Sequence, residues 1–454
     1  MLNRGTSENC KTTEGNEAQH KARIGIKDLP KTIRDAVNLC RDLEIYYLWV
    51  DALCILQDHS SAEWSKEASR IDKIYGFATF TLAITSSRDS NEGFLQKRDQ
   101  DMVKAPATEK ATMAYHRIQL APKTLQEIKE RAPLDSRGWA FQEERLSPRI
   151  VYWTAYGIFW TCLSGSCSEM DAGLVPDRTG HSLSHFEDFT DPSYQELGEG
   201  VIKSVQTNRL WSRLIEAYSP RKFTRIEDRL PALSGLAKKY SRETNSQYIA
   251  GHWLNTLQSD LLWIVAPGSL EKSDGKTVSK LEIAPSWSWA SIPPSACVLF
   301  PRRYGRSTSR LVDYDIQRAS EDDFGAISSA RICVEARLRP LLQGETRVEW
   351  PEHALKDESG HPIFPSTTGI VYSLDPKSHR ILVSHNAAYP IIIQTDCNIP
   401  SCLENCYCLD MNRNGFLLLQ KLDKSNNYKR IGCAQWYADR NFFDNSDVVR
   451  VNLI

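Results

Sequence analysis

Apolar residues at helical spacing open the organised part of the chain. Ile33, Ala36, Val37, Cys40 and Leu43 share one face of a 3.6-residue period. Asp28 ahead of Leu29-Pro30 supplies a cap and a proline suited to a first turn, so a helix is predicted over 29–44. The pattern then changes. Tyr46 to Val50 is aromatic and β-branched, which predicts a short buried strand stopping at Asp51. A second helical stripe (Trp64, Ala68, Ile71, Ile74, Tyr75, Ala78) predicts a helix over 62–77, and Thr79 to Thr85 predicts the next strand. Strand, helix and strand in this order make a βαβ unit, whose two strands would be parallel with a right-handed crossover.

Further along, weak strands are predicted near Met113–Leu120 and a short helix over Ser136–Leu146. Arg149–Trp153 and Ile158–Cys162 flank Gly157 and predict a β-hairpin. Residues 164–200 read as loop, and helical patterns return at 208–218 and 228–240. Beyond Pro285, strand-like runs (330–338, 369–374, 381–383, 390–395, 415–420) alternate with turns. The chain therefore divides into a polar segment without fixed structure (1–28), an α/β domain (29–165), a helical and loop extension (166–284) and a β-rich domain (285–454).

Composition narrows the function classes. The 454 residues carry a formal net charge of −1, so neither nucleic acid nor an anionic membrane is an expected partner. The first 27 residues lack the apolar stretch of a secretory signal, and no apolar run is long enough to span a bilayer, which predicts a cytoplasmic protein. Several of the 12 cysteines (Cys40, Cys54, Cys162, Cys333) lie inside apolar runs, as buried free thiols do in a reducing compartment. Cys397, Cys402, Cys406 and Cys408 are spaced unlike the paired C-x2-4-C units of structural zinc, so no metal site is expected. Arg302, Arg303, Arg306 and Arg310 read as a solvated linker. Dinucleotide, P-loop, nucleophile-elbow and zincin motifs are all absent from the sequence.

The candidate chemistry lies in two clusters. At 100° per residue, Glu67 falls on the stripe of the second helix, beside Ile71 and Ile74. A carboxylate there is either drawn into an apolar setting that raises its pKa, or bends to the edge and pairs with an arginine. Asp51 ends the predicted strand, where ligands collect in open α/β sheets, and Gln57 follows in the loop; both can equally order a turn. Arg137, Trp139, Gln142 and Glu143 form the second cluster, which either faces a ligand or braces the hairpin.

Three ordered blocks carry a family resemblance. They are Leu29-Pro30-Lys31-Thr32-Ile33-Arg34-Asp35-Ala36 leading to Tyr47-Leu48-Trp49-Val50-Asp51-Ala52-Leu53-Cys54-Ile55-Leu56-Gln57-Asp58; Trp64-Ser65-Lys66-Glu67 through Ile74-Tyr75; and Pro133-Leu134-Asp135-Ser136-Arg137-Gly138-Trp139-Ala140-Phe141-Gln142-Glu143. Together they resemble the heterokaryon incompatibility (HET) domain of filamentous fungi, over residues 29–165. Tyr218-Ser219-Pro220-Arg221, Asp228 to Gly235, Gly251-His252-Trp253 and Ala284 to Ser291 resemble what often follows that domain. The resemblance implies a role in non-self recognition and regulated cell death, with protein partners or self-assembly. Through a remote likeness to Toll/interleukin-1 receptor (TIR) domains it also implies a partial flavodoxin-like parallel sheet. By the same likeness NAD becomes a candidate substrate, Glu67 its catalytic residue, and Asp51, Gln57, Arg137, Trp139, Gln142 and Glu143 the pocket. A non-catalytic signalling or scaffold module is the alternative. The family's opening strand block, of the type Y-x-A-L-S-Y-x-W-G, has no counterpart in residues 1–28, which implies an open sheet edge or an incomplete pocket.

Overall fold

Residues 10–28, expected to lack fixed structure, are ordered in the computed structural model. Helix α1 (Glu17–Ala22) and a 3-10 turn (Ile26–Asp28) follow a segment stitched onto the residues after Val50. Thr12 N–H donates to Ala52 O (2.9 Å), its hydroxyl to Leu53 O (2.7 Å), and Gln57 N–H donates back to Thr12 O (2.9 Å). The composition of this stretch is polar, but these hydrogen bonds, with Cys10 buried in a cluster with Leu29, Ile33 and Val50, supply its order. The structure describes residues 10–58, 67, 70–87, 89–95, 124–169, 171–175, 199–266, 269, 280–294, 296–300, 306–341, 371–375, 380–384, 391–397, 405–413, 415–422, 425–435 and 442–454. The predicted strands near Met113–Leu120 lie outside them. The chain forms two compact units, Met1–Asp188 and Phe189–Ile454.

In the first unit, helix α2 (Lys31–Asp42) forms where the period predicts it, and Ile33 and Ala36 are buried. Asp35 ties this helix to a distant turn. Its Oδ2 accepts from the Phe94 and Leu95 N–H groups at 2.9 and 3.2 Å and from Lys31 Nζ at 3.2 Å. Burial opposes the charge, but these donors hold the carboxyl below its usual range. Gly93 (φ 78°) is required beside them, because a Cβ there would meet the Lys31 ammonium and the Asp35 carboxylate.

The predicted strand at 46–50 is not in a ladder. Residues 45–50 run without turn or bend into helix α3 (Asp51–Cys54), and Val50 is extended (φ −135°, ψ 122°). Val50 is drawn into a cluster with Cys10, Leu29 and Ile33 on the α2 side, while Tyr46 and Tyr47 stand 89 % and 92 % exposed. Strand propensity was genuine, but the far end of the segment is claimed by α2 and not by the sheet. Helix α4 (Ile71–Gly76) is the described part of the second predicted helix. It leads to β1 (Thr81–Ile84), whose parallel neighbour lies one element later than expected. Two helices, α5 (Leu125–Arg131) and α6 (Gly138–Leu146), precede β2 (Arg149–Thr154), which pairs with β1 from Thr81↔Ile150 to Ile84↔Trp153. Thr124 and Glu127 form a reciprocal cap that starts α5.

The predicted hairpin is present as β2 and β3 (Gly157–Cys162), in antiparallel register. The meander continues through β4 (Gly165–Ser168) and β5 (Asp171–Val175), where loop was expected. Short polar residues hid those two strands, because pairing with β3 and not burial defines them. The five-stranded sheet is thus mixed: β1–β2 is parallel and the remaining pairs are antiparallel.

The second unit begins with helix α7 (Glu199–Tyr218), followed by helix α8 (Ser234–Thr244), which ends on Asn245 in the left-handed region. Hairpin strands β6 (Tyr248–Ile249) and β7 (His252–Trp253) follow, then helix α9 (Leu257–Asp260) and strand β8 (Ile264–Val265), which pairs with β9 (Val298–Leu299). The four downstream blocks of the family resemblance converge here. Gly251 O accepts from the Trp211 and Trp289 indoles at 3.1 and 2.9 Å, Ser288 Oγ donates to Ala250 O, and Tyr218 OH donates to Arg229 O at 2.6 Å. Gly251 (φ 94°) has no room for a side chain against the Trp289 ring. These blocks build a tryptophan-rich core.

The rest is β-rich, as expected beyond Pro285. Its strands are β10 (Arg310–Arg318), β11 (Ile327–Pro340), β12 (Val371–Asp375), β13 (Arg380–Ser384), β14 (Ile391–Thr395), β15 (Cys406–Asn412), β16 (Gly415–Leu422), β17 (Asn427–Gln435) and β18 (Val448–Leu453). β11, β15, β16 and β17 are sequential neighbours, and β18 pairs with both β11 and β17, which closes a barrel-like ring. Ile332, Val334, Leu409, Leu417, Val451 and Leu453 fill it together with Leu261, Leu262 and Trp287. Arg310, expected in a linker, starts β10 and pairs with Glu335 at 2.8 Å; Arg302 and Arg303 lie outside the described residues. No helix among the described residues is long and apolar enough to cross a membrane.

Candidate functional site

A cleft of about 440 Å³ opens where the βαβ pairing was expected. One wall is residues 45–51; the other is the run from Lys73 to Leu82, backed by Ile33, Ala36 and Leu39 of α2. Most of the lining is apolar. Polar groups gather in it from separate segments, among them Asp51 at the start of α3, Lys73 and Tyr75 on α4, and Arg137 and Glu143 at the start and middle of α6. This is the combination expected of a ligand site, a largely apolar cavity with a few convergent polar groups.

The electrostatics follow from that crowding. Burial pushes the Glu143 carboxyl up, and the Asp51 charge adds to it, while Arg137 and a hydrogen bond to Tyr75 pull the other way. Burial likewise raises the Tyr75 phenol well above its ordinary value, reinforced by Glu143 and Asp51. Tyr75 is 7 % exposed, and its ring meets Trp49 edge-on at 5.6 Å. Asp51 is better solvated. Its Oδ1 accepts from the N–H of the next residue, Ala52, at 2.8 Å, at the first position of the short helix.

The raised Glu143 pKa gives a stability prediction. The fold penalises the charged form, so the native state holds the proton more tightly than the unfolded chain. The penalty is absent below the ordinary glutamate pKa of about 4.3 and grows as pH rises through the folded value. Glu143→Gln should therefore raise the unfolding midpoint at neutral pH, with the difference vanishing near pH 4. Urea titrations of both proteins at several pH values would show it, and an equal or lower midpoint for the variant at pH 7 would refute it.

The other sequence candidates lie elsewhere. Of the two alternatives open for Glu67, the structure shows the second: its side chain is one-third exposed, paired with Arg70 at 3.1 Å, and does not line the cleft. An arginine three residues on offers the carboxylate a solvated partner, which outweighs the pull of the stripe. Gln57 turns its amide to Asp51 O (3.2 Å) and Ile55 O (2.9 Å), bracing the loop. Trp139 and Gln142 sit on α6 beside Glu143 but do not reach the cleft, and Gln142 is fully buried. Tyr75 and Lys73 are cleft residues that periodicity did not single out. Tyr75 counted as one more apolar member of the stripe, and only its phenol could have signalled otherwise. Among the described residues no group of three or more His, Cys, Asp or Glu could hold a metal ion; Cys402 lies outside them.

One family model matches part of the chain. Residues 5–143 match the family model described as "Heterokaryon incompatibility protein (HET)". The match begins inside the segment expected to precede the domain and ends at the cleft residue Glu143. No curated protein and no solved structure matches the chain.

Proposed function

We propose, from the premise that this chain carries a HET domain and has a heterokaryon incompatibility-related role, that it is a cytoplasmic effector of non-self recognition and regulated cell death whose cleft hydrolyses NAD. The observation that supports the chemistry is the meeting of two carboxyl groups, a phenol and a guanidinium in one largely apolar cleft. The remote TIR likeness supplies the substrate class, and the fold by itself carries no activity.

In this reading the bond between ribose C1′ and the nicotinamide nitrogen breaks heterolytically, and its electron pair neutralises the positive ring. The Asp51 carboxyl oxygens oppose the positive charge that develops on the ribosyl group, electrostatic work that is most effective in a dry cleft. Water adds at C1′ and gives a proton to Glu143, the carboxyl group that burial makes the more basic acid of the cleft. The products are nicotinamide, ADP-ribose and a proton. Arg137 moderates the repulsion between the two acids. Glu67 has no part in this scheme.

Purified protein incubated with NAD should release nicotinamide, and Glu143→Gln should lower the rate roughly 10²–10⁴-fold, the range for losing a general base. Glu67→Gln should keep the wild-type rate. Absence of release by the wild-type protein, or an unaffected Glu143→Gln, would remove the catalytic reading.

A second reading, a signalling module that acts by assembly, is favoured by the apolar rim of the cleft: Leu43 (51 %), Tyr46, Tyr47 and Phe77 (85 %) are all strongly exposed. Toxicity on overexpression in a fungal host that survives Glu143→Gln but not Tyr46→Ser with Phe77→Ser would support it.

A further inference from the structure

Helix α3 is one turn long, and a single turn does not hold itself together in water. Its first residue, Asp51, lines the cleft, yet the hydrogen bond its carboxyl makes is a local one, from Ala52 N–H at 2.8 Å. The place of that carboxyl is therefore set by the backbone of the turn. Thr12 meets this backbone three times. Its N–H donates to Ala52 O (2.9 Å), its hydroxyl donates to Leu53 O (2.7 Å), and its own O accepts from Gln57 N–H (2.9 Å). Ala52 O and Leu53 O are carbonyls that the end of so short a helix leaves without an intrahelical partner. A hydroxyl has one proton, and here it goes to Leu53 O. The contact of Thr12 Oγ with His20 Nδ1 at 2.9 Å is thus one in which the ring N–H donates. Thr12 is 5 % exposed, and its segment is anchored on either side: Cys10 packs with Val50, and Glu14 N–H donates to the Asp58 carboxylate at 3.0 Å. Gln57 ties the two strands of the arrangement together, since its amide also donates to Asp51 O at 3.2 Å.

We propose that Thr12 is a positioning residue of the cleft: its hydroxyl and peptide groups hold the turn Asp51–Cys54 in the orientation that brings the Asp51 carboxyl into the cleft with Glu143. The proposal rests on the roles given above to these two acids, and Thr12 acts through Asp51 and not on the reacting atoms. Val50 packs toward α2 and fixes where the chain enters the turn. An apolar contact has no preferred direction, so it leaves the turn free to rotate. Hydrogen bonds are directional, and two of them on successive carbonyls remove that freedom. Thr12→Val keeps the shape of the side chain and both peptide bonds, but it sets a methyl where the hydroxyl stood and takes the donor from Leu53 O. The turn then shifts to find another partner for that carbonyl, and Asp51 moves with it.

The test needs no NAD. The carbon-13 signal of the Glu143 carboxyl, identified by its loss in Glu143→Gln, would be followed against pH in the full-length wild type, Thr12→Val, Asp51→Asn and the double variant. Burial and the Asp51 charge raise the Glu143 titration, while Arg137 and Tyr75 face the same carboxyl and lower it. Asp51→Asn should therefore lower the midpoint, and Thr12→Val should lower it too. The double variant should fall no further than Asp51→Asn alone, because both changes act through one group. Thr12→Ser keeps the hydroxyl and should retain the wild-type midpoint. Either single variant titrating like the wild type would overturn the proposal, as would a fall in Thr12→Val that adds in full to that of Asp51→Asn. Near-ultraviolet circular dichroism would check folding. Should Thr12→Val not fold, Thr12→Ala removes the hydroxyl without the added methyl and takes its place. If neither folds, the hydroxyl holds the whole unit and not the turn, which also overturns the proposal. In nicotinamide release, Thr12→Val should lower kcat about tenfold and leave KM within about twofold. A wild type that releases no nicotinamide refutes the hydrolysis alone, whereas an unmoved Glu143 titration in Thr12→Val refutes the positioning alone.

Discussion

Asp396→Ala is expected to cost the second unit about 3–5 kcal/mol, a large share of any domain's net stability. Asp396 is 2 % exposed and accepts from Lys280 Nζ at 2.7 Å and Arg430 Nη1 at 2.8 Å. Arg430 has no exposure at all; its guanidinium lies over the Trp263 ring and also donates to Trp263 O. Lys280 donates in addition to Arg430 O and Ser286 O. The carboxylate is thus the one negative charge in direct contact with the buried Arg430 and the partly buried Lys280 among the described residues. Removing it leaves the Arg430 charge in a low-dielectric setting, where uncompensated charge costs far more than the lost hydrogen bonds. Urea unfolding followed by tryptophan fluorescence would measure the loss, since Trp263 sits in the network. Asp313→Ala is the control. Asp313 also makes a short ion pair, with Arg331 at 2.7 Å, but in full contact with solvent, and its removal should leave the midpoint unchanged. If Asp396→Ala behaves like the control, the network contributes no stability.

That network also shows why part of the fold could not be read in advance. Local period found α2, α6 and the β2–β3 hairpin, because each of those elements buries one face and its pattern lies within a dozen residues. β17 carries Lys429 and Arg430 in its middle, which reads as solvated chain. Arg430 is buried only because Asp396 and Trp263 reach it from far along the sequence. β15 fails in the opposite way. It is buried on nearly every position, so its sequence Cys406–Asn412 shows no alternation to detect. Residues 46–50 have a strand's composition, but the partner that makes a strand is a tertiary choice, and here Val50 packs toward α2.

The candidate site was legible to the same degree. Asp51, Arg137 and Glu143 stood out as polar residues at the ends or faces of predicted elements, and the fold brings all three to one cleft. Glu67 stood out by the same geometry. The stripe gave its angle around the helix correctly, but angle alone does not decide burial when an arginine lies within one turn. Tyr75 was hidden because an aromatic ring satisfies the apolar pattern whether or not its hydroxyl has work to do.

Lys129→Ala should destabilise the first unit by about 3–5 kcal/mol, and the reason connects its core to the cleft. Lys129 on α5 meets Glu144 on α6 at 2.5 Å, with both side chains 8 % exposed, and its ammonium lies over the Tyr152 ring. Glu144 directly follows Glu143. Adjacent helical positions point about 100° apart, so fixing Glu144 against α5 sets the rotation of α6 that presents Glu143 to the cleft. Lys129→Ala takes the ammonium partner from the buried Glu144 carboxylate, which should both lower the unfolding midpoint and loosen that rotation. The double variant Lys129→Met, Glu144→Leu replaces the pair with apolar groups of similar size and should recover most of the stability, because no charge then remains to desolvate. Equilibrium urea unfolding of the three proteins separates the cases. The ion pair would be irrelevant if the single variant lost less than about 1 kcal/mol, the scale of an exposed pair. Exchange protection of the α6 amides around Glu143, low in the single variant and restored in the double, would tie the loss to the helix that carries the site.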